Sequence, residues 1–149
     1  MNFSNKTVIA VGPFDEINNR LAVLKTMDFL KTNEIHFVHV FNTVNYTTFI
    51  GEFPVVYPVQ ADRDAIEKSI VSLLNGIGKK VLPDNFDGKI ITRCLFDVSP
   101  KAKFSEYVTE TNANLVIIPT RLKHNLFDSS FAQYVNKHTH ANLIILKNE

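Results

Sequence analysis

The sequence carries a single cysteine, Cys94, among its 149 residues. A disulfide framework and a cysteine-based zinc cluster are both excluded within one chain, and a reducing cytoplasm is the expected compartment. An excess of charge is lacking as well. Sixteen Lys and Arg oppose fifteen Asp and Glu, for a formal net charge of +1, so nothing points to nucleic acid or an anionic membrane surface as a partner. No apolar run approaches the roughly 20 residues of a membrane-spanning helix. The opening Met1-Asn2-Phe3-Ser4-Asn5-Lys6 lacks the apolar core of a secretory leader. What remains is 45% hydrophobic and 21% charged, which suits a folded domain and not a disordered chain. Residues 1–149 are expected to form one domain with a sizeable core.

Five short apolar runs stand out: Thr7–Val11, Ile35–Phe41, Lys89–Phe96, Leu115–Ile118 and Leu143–Leu146. Most are continuous and β-branched instead of alternating, the pattern of strands buried on both faces of a parallel sheet. Helical periods lie between them. Ile17, Leu21, Leu24 and Met27 form the first stripe, and Ile66, Ile70, Leu73, Leu74, Ile77 and Val81 the second. Gly76-Ile77-Gly78 weakens the end of that second helix, because each interior glycine costs about 1 kcal/mol. Ser99-Pro100 reads as a third helix start, serine capping and proline at the first helical position, with Phe104, Tyr107, Val108 and Thr111 facing inward. The last helix carries Phe127, Phe131, Tyr134 and Val135, with Asp128 or Ser129 near its start.

The order β-α-β-α-β-α-β-α-β with right-handed crossovers predicts an α/β domain, a three-layer α/β/α sandwich around a five-stranded parallel sheet. The connection Asn42–Gln60 is about nineteen residues long and rich in aromatics and proline. Loops of that length are functional or partly structured; an arm packing its aromatics on the domain or a partner is the expected reading here, and a ligand lid the alternative.

In an open parallel sheet, ligands bind beyond the carboxyl ends of the strands where the strand order reverses. With the first strand central, that point lies between Gly12-Pro13-Phe14-Asp15 and Pro119-Thr120-Arg121. The strand end Ala10-Val11-Gly12, the pair His39-Val40, the proline-led Ser99-Pro100 and the runs Ala113–Pro119 and Asn142–Leu146, in this order, make the chain resemble the universal stress proteins. Their first strand ends near Ala-Val-Asp-Gly-Ser, where this chain has Ala10-Val11-Gly12-Pro13-Phe14. Their second ends in His-Val, here His39-Val40. A proline-led helix follows, as at Ser99-Pro100, then a strand like Ala113-Asn114-Leu115-Val116-Ile117-Ile118-Pro119. Their last helix opens with Gly-Ser, here Ser129-Ser130, before a strand like Asn142-Leu143-Ile144-Ile145-Leu146. The resemblance covers nearly the whole chain and implies a Rossmann-like, adenine nucleotide alpha hydrolase-like sheet of order 3-2-1-4-5. It also implies a homodimer joined through the fifth strand, here Leu143, Ile144, Ile145 and Leu146.

The departures bear on function. ATP-binding members of the family carry glycine, two residues, glycine, nine residues, then glycine and Ser/Thr, so that backbone N–H groups approach the phosphates. Those glycines correspond to Pro119, Leu122 and Ser129 here, and Lys123–Asp128 spans six residues in place of nine. Proline has no N–H, and a leucine side chain crowds the cradle. The aspartate ending the first strand in those members is Gly12. Thr120, Arg121 and Ser130 keep the chemistry of their counterparts. The resemblance therefore disfavours ATP or AMP as a cofactor. The expected function is a non-catalytic, homodimeric stress-response or regulatory module. The alternative is a binder of a nucleotide or other small anionic ligand through Val11, Gly12, Val40, Pro119, Thr120, Arg121, Ser129 and Ser130.

Other constellations are weaker. Asp15, Glu16, Asp97, Thr120 and Lys147 sit at strand ends much as in a two-component receiver, but that fold needs a helix after the fifth strand. Gly76 and Gly78 follow no strand, so they are not a dinucleotide fingerprint, and no Ser-Gly-Gly-x-Asp-Ser or His-x-Gly-His motif is present. His36 and His39 are three apart on a strand and must face opposite sides, so they cannot share a metal. His138 and His140 suit the end of a helix dipole better than a metal. Cys94, in mid-strand, reads as a small buried hydrophobe. No nucleophile–base pair at plausible spacing supports an enzyme.

Overall fold

A computed structural model describes residues 5–12, 19–26, 34–43, 47–50, 53–56, 60–119 and 126–146. Among the described residues there are seven strands: β1 (Lys6–Ala10), β2 (Glu34–Asn42), β3 (Thr47–Ile50), β4 (Phe53–Val56), β5 (Lys89–Asp97), β6 (Leu115–Pro119) and β7 (Asn142–Leu146). The α-helices among the described residues are α1 (Gln60–Val81), α2 (Pro100–Thr111) and α3 (Leu126–His138). The five apolar runs form one sheet in the order β5-β2-β1-β6-β7, with every neighbouring pair parallel. Counting only those five strands along the chain, the order is the expected 3-2-1-4-5.

Burial follows position in the sheet. The central strands carry Val8, Ile9, Val116 and Ile117 at 0% exposure, as continuous apolar runs require. The edge strands depart from the expectation of burial on both faces. Ile90 of β5 and Ile145 of β7 are exposed, because an edge strand has only one neighbour to shield it. One side of the sheet packs Ile9, Val11, Ile35 and Phe37 against Leu21, Leu24, Leu74 and Val81. The other packs Val8, Ala10, Val38 and Val116 against Phe104 and Val108 of α2 and Ala132 and Val135 of α3. Burying each such aliphatic or aromatic side chain contributes about 1.5–3 kcal/mol.

Several helical expectations need correction. The first stripe forms a 3-10 helix over Asn19–Thr26. Leu21 and Leu24 are both at 0% exposure, and their spacing of three suits a helix of three residues per turn. Ile17 and Met27 lie outside the described residues. Helix α1 forms as expected and continues through both glycines to Val81. Its inward stripe is narrower than the sequence suggested, because Leu73 is half exposed. It lies about 100° around the helix from the buried Leu74, on the flank. Ser99 precedes α2 in extended conformation with Pro100 following, but its side chain makes no capping bond. Asp97 instead accepts from the Ser99 amide at 2.9 Å. Asn112 closes α2 in the left-handed region, φ 59°, its N–H turned back to the Thr109 and Val108 carbonyls.

The aromatic connection is partly structured. Strands β3 and β4 pair antiparallel, Thr47 opposite Val56 and Ile50 opposite Phe53, as a separate two-stranded sheet.

Candidate functional site

The carboxyl ends of β1 and β6 lie side by side, as the topology demands, since the two strands pair from Thr7–Leu115 to Ile9–Ile117. Val11 follows β1 and is buried, its side chain in the core beneath α1. Its N–H donates to the Val38 carbonyl at 2.8 Å. Its carbonyl accepts from Nδ1 of His39 at 2.8 Å. Val11 therefore already uses both backbone groups that a ligand at the end of β1 would meet. Gly12 is half-buried beside it. Val40 packs from the opposite face of the sheet, against the core under α2 and α3, so Val11 and Val40 do not line one pocket with their side chains.

Pro119 ends β6, buried and opposite Leu146 of β7. It supplies a carbonyl but no N–H. Thr120, Arg121 and Leu122 lie outside the described residues. The last helix begins at Leu126, so Ser129 and Ser130 do not open it as expected. They are its fourth and fifth residues. Only the first four N–H groups of a helix lack a partner within it, so the Ser130 amide is past the anion-binding end.

His39 is the residue at this site that the sequence did not single out as functional. With its Nδ1–H fixed by the Val11 carbonyl, the other ring nitrogen carries the lone pair. Burial holds the imidazole below its ordinary value of 6.5, against the opposing pull of the Val11 carbonyl. The expectation that His36 and His39 face opposite sides holds, since His36 reaches Tyr107 of α2.

A second polar group lies at the amino end of the sheet. His36 is buried, with Nδ1 2.5 Å from the Tyr107 hydroxyl and Nε2 2.7 Å from a Glu34 carboxylate oxygen. No pattern in the sequence joins these residues, because Tyr107 lies 71 positions from His36. Cys94 is buried as expected, and burial with the nearby Glu67 carboxylate pushes its thiol up to about 12, the opposite of an activated nucleophile. His138 stacks on Tyr134 at 3.8 Å and bonds its carbonyl at 2.8 Å, at the end of α3. An open groove lined by Asp64, Glu67, Lys68 and Val71 runs along one flank of α1, apart from the strand ends. Among the described residues, no helix is long and apolar enough to cross a membrane.

No protein-family model matches the sequence, and no curated protein matches it either. Solved structures do. The hypothetical protein PH0823 superposes with a TM-score of 0.70 at 16% identity, covering 99% of this chain and 98% of its own. The universal stress protein from Archaeoglobus fulgidus gives 0.60 at 18% identity, over 96% and 93%. A universal stress protein solved in complex with cAMP gives 0.63 at 10% identity, over 98% of each. Likeness this complete at identities this low concerns the backbone, and on it this chain has the fold of the universal stress proteins.

Proposed function

We propose that the chain is a divergent universal stress protein, a cytoplasmic homodimeric stress-response or regulatory module that does no catalysis and binds no ATP tightly. One observation carries this reading. At the switch point Pro119 has no N–H to give, and the Val11 N–H is already bonded to the Val38 carbonyl. Among the described residues, these two strand-end positions therefore offer no amide to a phosphate. The dimer reading rests on β7, which among the described residues pairs with β6 alone. Leu143, Ile144 and Leu146 pack into the chain's own core, while Ile145 is exposed. A short apolar edge of that kind is usually covered. Sedimentation at micromolar concentration is expected to give a dimer, and Ile145→Lys a monomer. A monomeric wild-type chain would overturn the dimer.

A second reading has its own support. One structural neighbour was solved with cAMP, and the Archaeoglobus fulgidus protein also with dAMP. A nucleotide or other small anion would then sit between β1 and β6, near Gly12 and Pro119, with Thr120, Arg121, Ser129 and Ser130 as its polar contacts. Thermal denaturation with millimolar ATP, ADP, AMP, dAMP and cAMP separates the two readings. A ligand at 100 times its dissociation constant stabilises the fold by about 2.7 kcal/mol. A shift that Arg121→Ala abolishes would establish the second reading, whereas no shift with any nucleotide leaves the first.

A further inference from the structure

We propose that Glu34, His36 and Tyr107 form an acid-released latch that fastens α2 to the amino half of the sheet. The group lies at the end of β2 remote from the strand-end site, so it stands apart from any ligand bound there. Its proton positions follow from chemistry. The Glu34 carboxylate only accepts, so Nε2 of His36 carries the hydrogen on the 2.7 Å contact. Nδ1 is then the lone pair, and the Tyr107 hydroxyl donates to it across 2.5 Å. Only the Tyr107 bond ties the strand to the helix, and it requires an unprotonated Nδ1; the Glu34 bond lies within β2, fixes the tautomer and persists when the ring is charged. The rings also meet edge to face, with centroids 5.6 Å apart.

The surroundings oppose a second ring proton. His36 is 4% exposed. Lys6 faces it from β1 and Arg93 from β5, while Glu34 on its own strand is, among the described residues, the opposing anion and Tyr107 closes the side toward α2. Burial is the largest influence and holds the imidazole below 6.5; the Glu34 bond and charge pull upward, and Lys6 and Arg93 push further down. Once protonated, Nδ1 becomes a donor, and Tyr107 must turn its hydroxyl hydrogen toward some other acceptor. The direction with pH is fixed. The folded value lies below the unfolded one, so the latch contributes fully above about pH 6.5 and weakens as pH falls from there toward the folded value.

Imidazole NMR and amide hydrogen exchange on the full chain, from about pH 8 to about pH 5, test this. His36 is expected in the Nε2–H tautomer, titrating below 6.5. Tyr107→Phe removes the bond that favours the neutral ring and raises the midpoint. Glu34→Gln removes the favouring anion and lowers it. Across the titration, exchange in α2, corrected for the intrinsic rate, accelerates by up to about tenfold per pH unit relative to α3. In Tyr107→Phe that pH dependence is weakened, because burial still holds the ring below 6.5. An Nδ1–H tautomer, a midpoint that neither variant moves, or exchange in α2 and α3 rising in step would each overturn the latch. If one variant fails to fold, the other and the wild-type tautomer still decide.

Discussion

The two faces of the sheet are built differently. Beneath α1 the packing is apolar and close: Phe37 is at 0% exposure, and a Cβ added at Gly78 would sit 3.3 Å from its ring. Among the described residues, the buried Thr7 hydroxyl, on this face by alternation along β1, has no hydrogen-bond partner. Beneath α2 and α3 the sheet accepts polar groups and satisfies them. His36 has two partners there, and the buried Ser105 hydroxyl of α2 donates to the Lys101 carbonyl at 2.8 Å. Apart from His39, held at the strand end by the Val11 carbonyl, the first face is thus set by shape and the other partly by proton positions, so the core of the first should respond to volume and the second to pH.

The largest effect is expected from emptying the first face. Phe37→Ala removes the ring on which α1 rests and should destabilise by about 3–5 kcal/mol, read as a lower midpoint in urea. A loss under about 1 kcal/mol would mean that α1 collapses onto the gap and that the face is not shape-determined. Thr7→Val is smaller and opposite in sign. An unpartnered buried hydroxyl costs about 1–3 kcal/mol, so its removal should raise the same midpoint. A lowered midpoint would show that the hydroxyl is satisfied after all.

Gly78→Ala sharpens the comparison because two effects of similar size oppose each other. Alanine gains about 1 kcal/mol of helix propensity, while forcing a methyl into a filled core costs about 1–3 kcal/mol. The contact lies on a ring with no exposed edge, so the steric cost should prevail and the variant should lose about 1 kcal/mol. In a Phe37→Leu background the ring edge is gone and the same substitution should turn stabilising. Additive effects in that double-mutant cycle would break the packing argument.

How much of this was legible depends on the range of the interaction. Strands β1, β2 and β6 were readable because a strand buried between two layers must be apolar along its length, and β5 and β7 because their β-branched apolar runs persist even where one face is exposed. The switch point followed from topology alone. Helix α1 was readable from its stripe, though Leu73 was not, since periodicity cannot say how wide a stripe the sheet will cover. The hairpin β3–β4 had a signal in Gly51-Glu52 between two β-prone segments, but Pro54 lies in the second segment and obscures it. The start of α3 at Leu126 was misplaced because the resemblance aligned Ser129 with a helix-opening glycine, whereas the shortened segment before it starts the helix earlier. The His39 bond to Val11 and the His36 bond to Tyr107 depend on how strands and helices lie across each other, which no local pattern encodes.

Gly76→Ala gives the smallest effect and the cleanest control on the two faces. Gly76 and Gly78 share one helix and nearly one position along it, so their backbone and unfolded-state contributions are closely matched. They differ in what a methyl group would meet. At Gly76 nothing lies within 4 Å, and the residue is exposed. The propensity gain should therefore appear unopposed, stabilising by about 0.5–1 kcal/mol and raising Tm by about 1–4 °C in a domain of this size. The difference between the two alanine variants then isolates the contact with Phe37, since helix propensity cancels. If both variants stabilise equally, Phe37 yields freely, and the face beneath α1 is no more shape-determined than the face beneath α2.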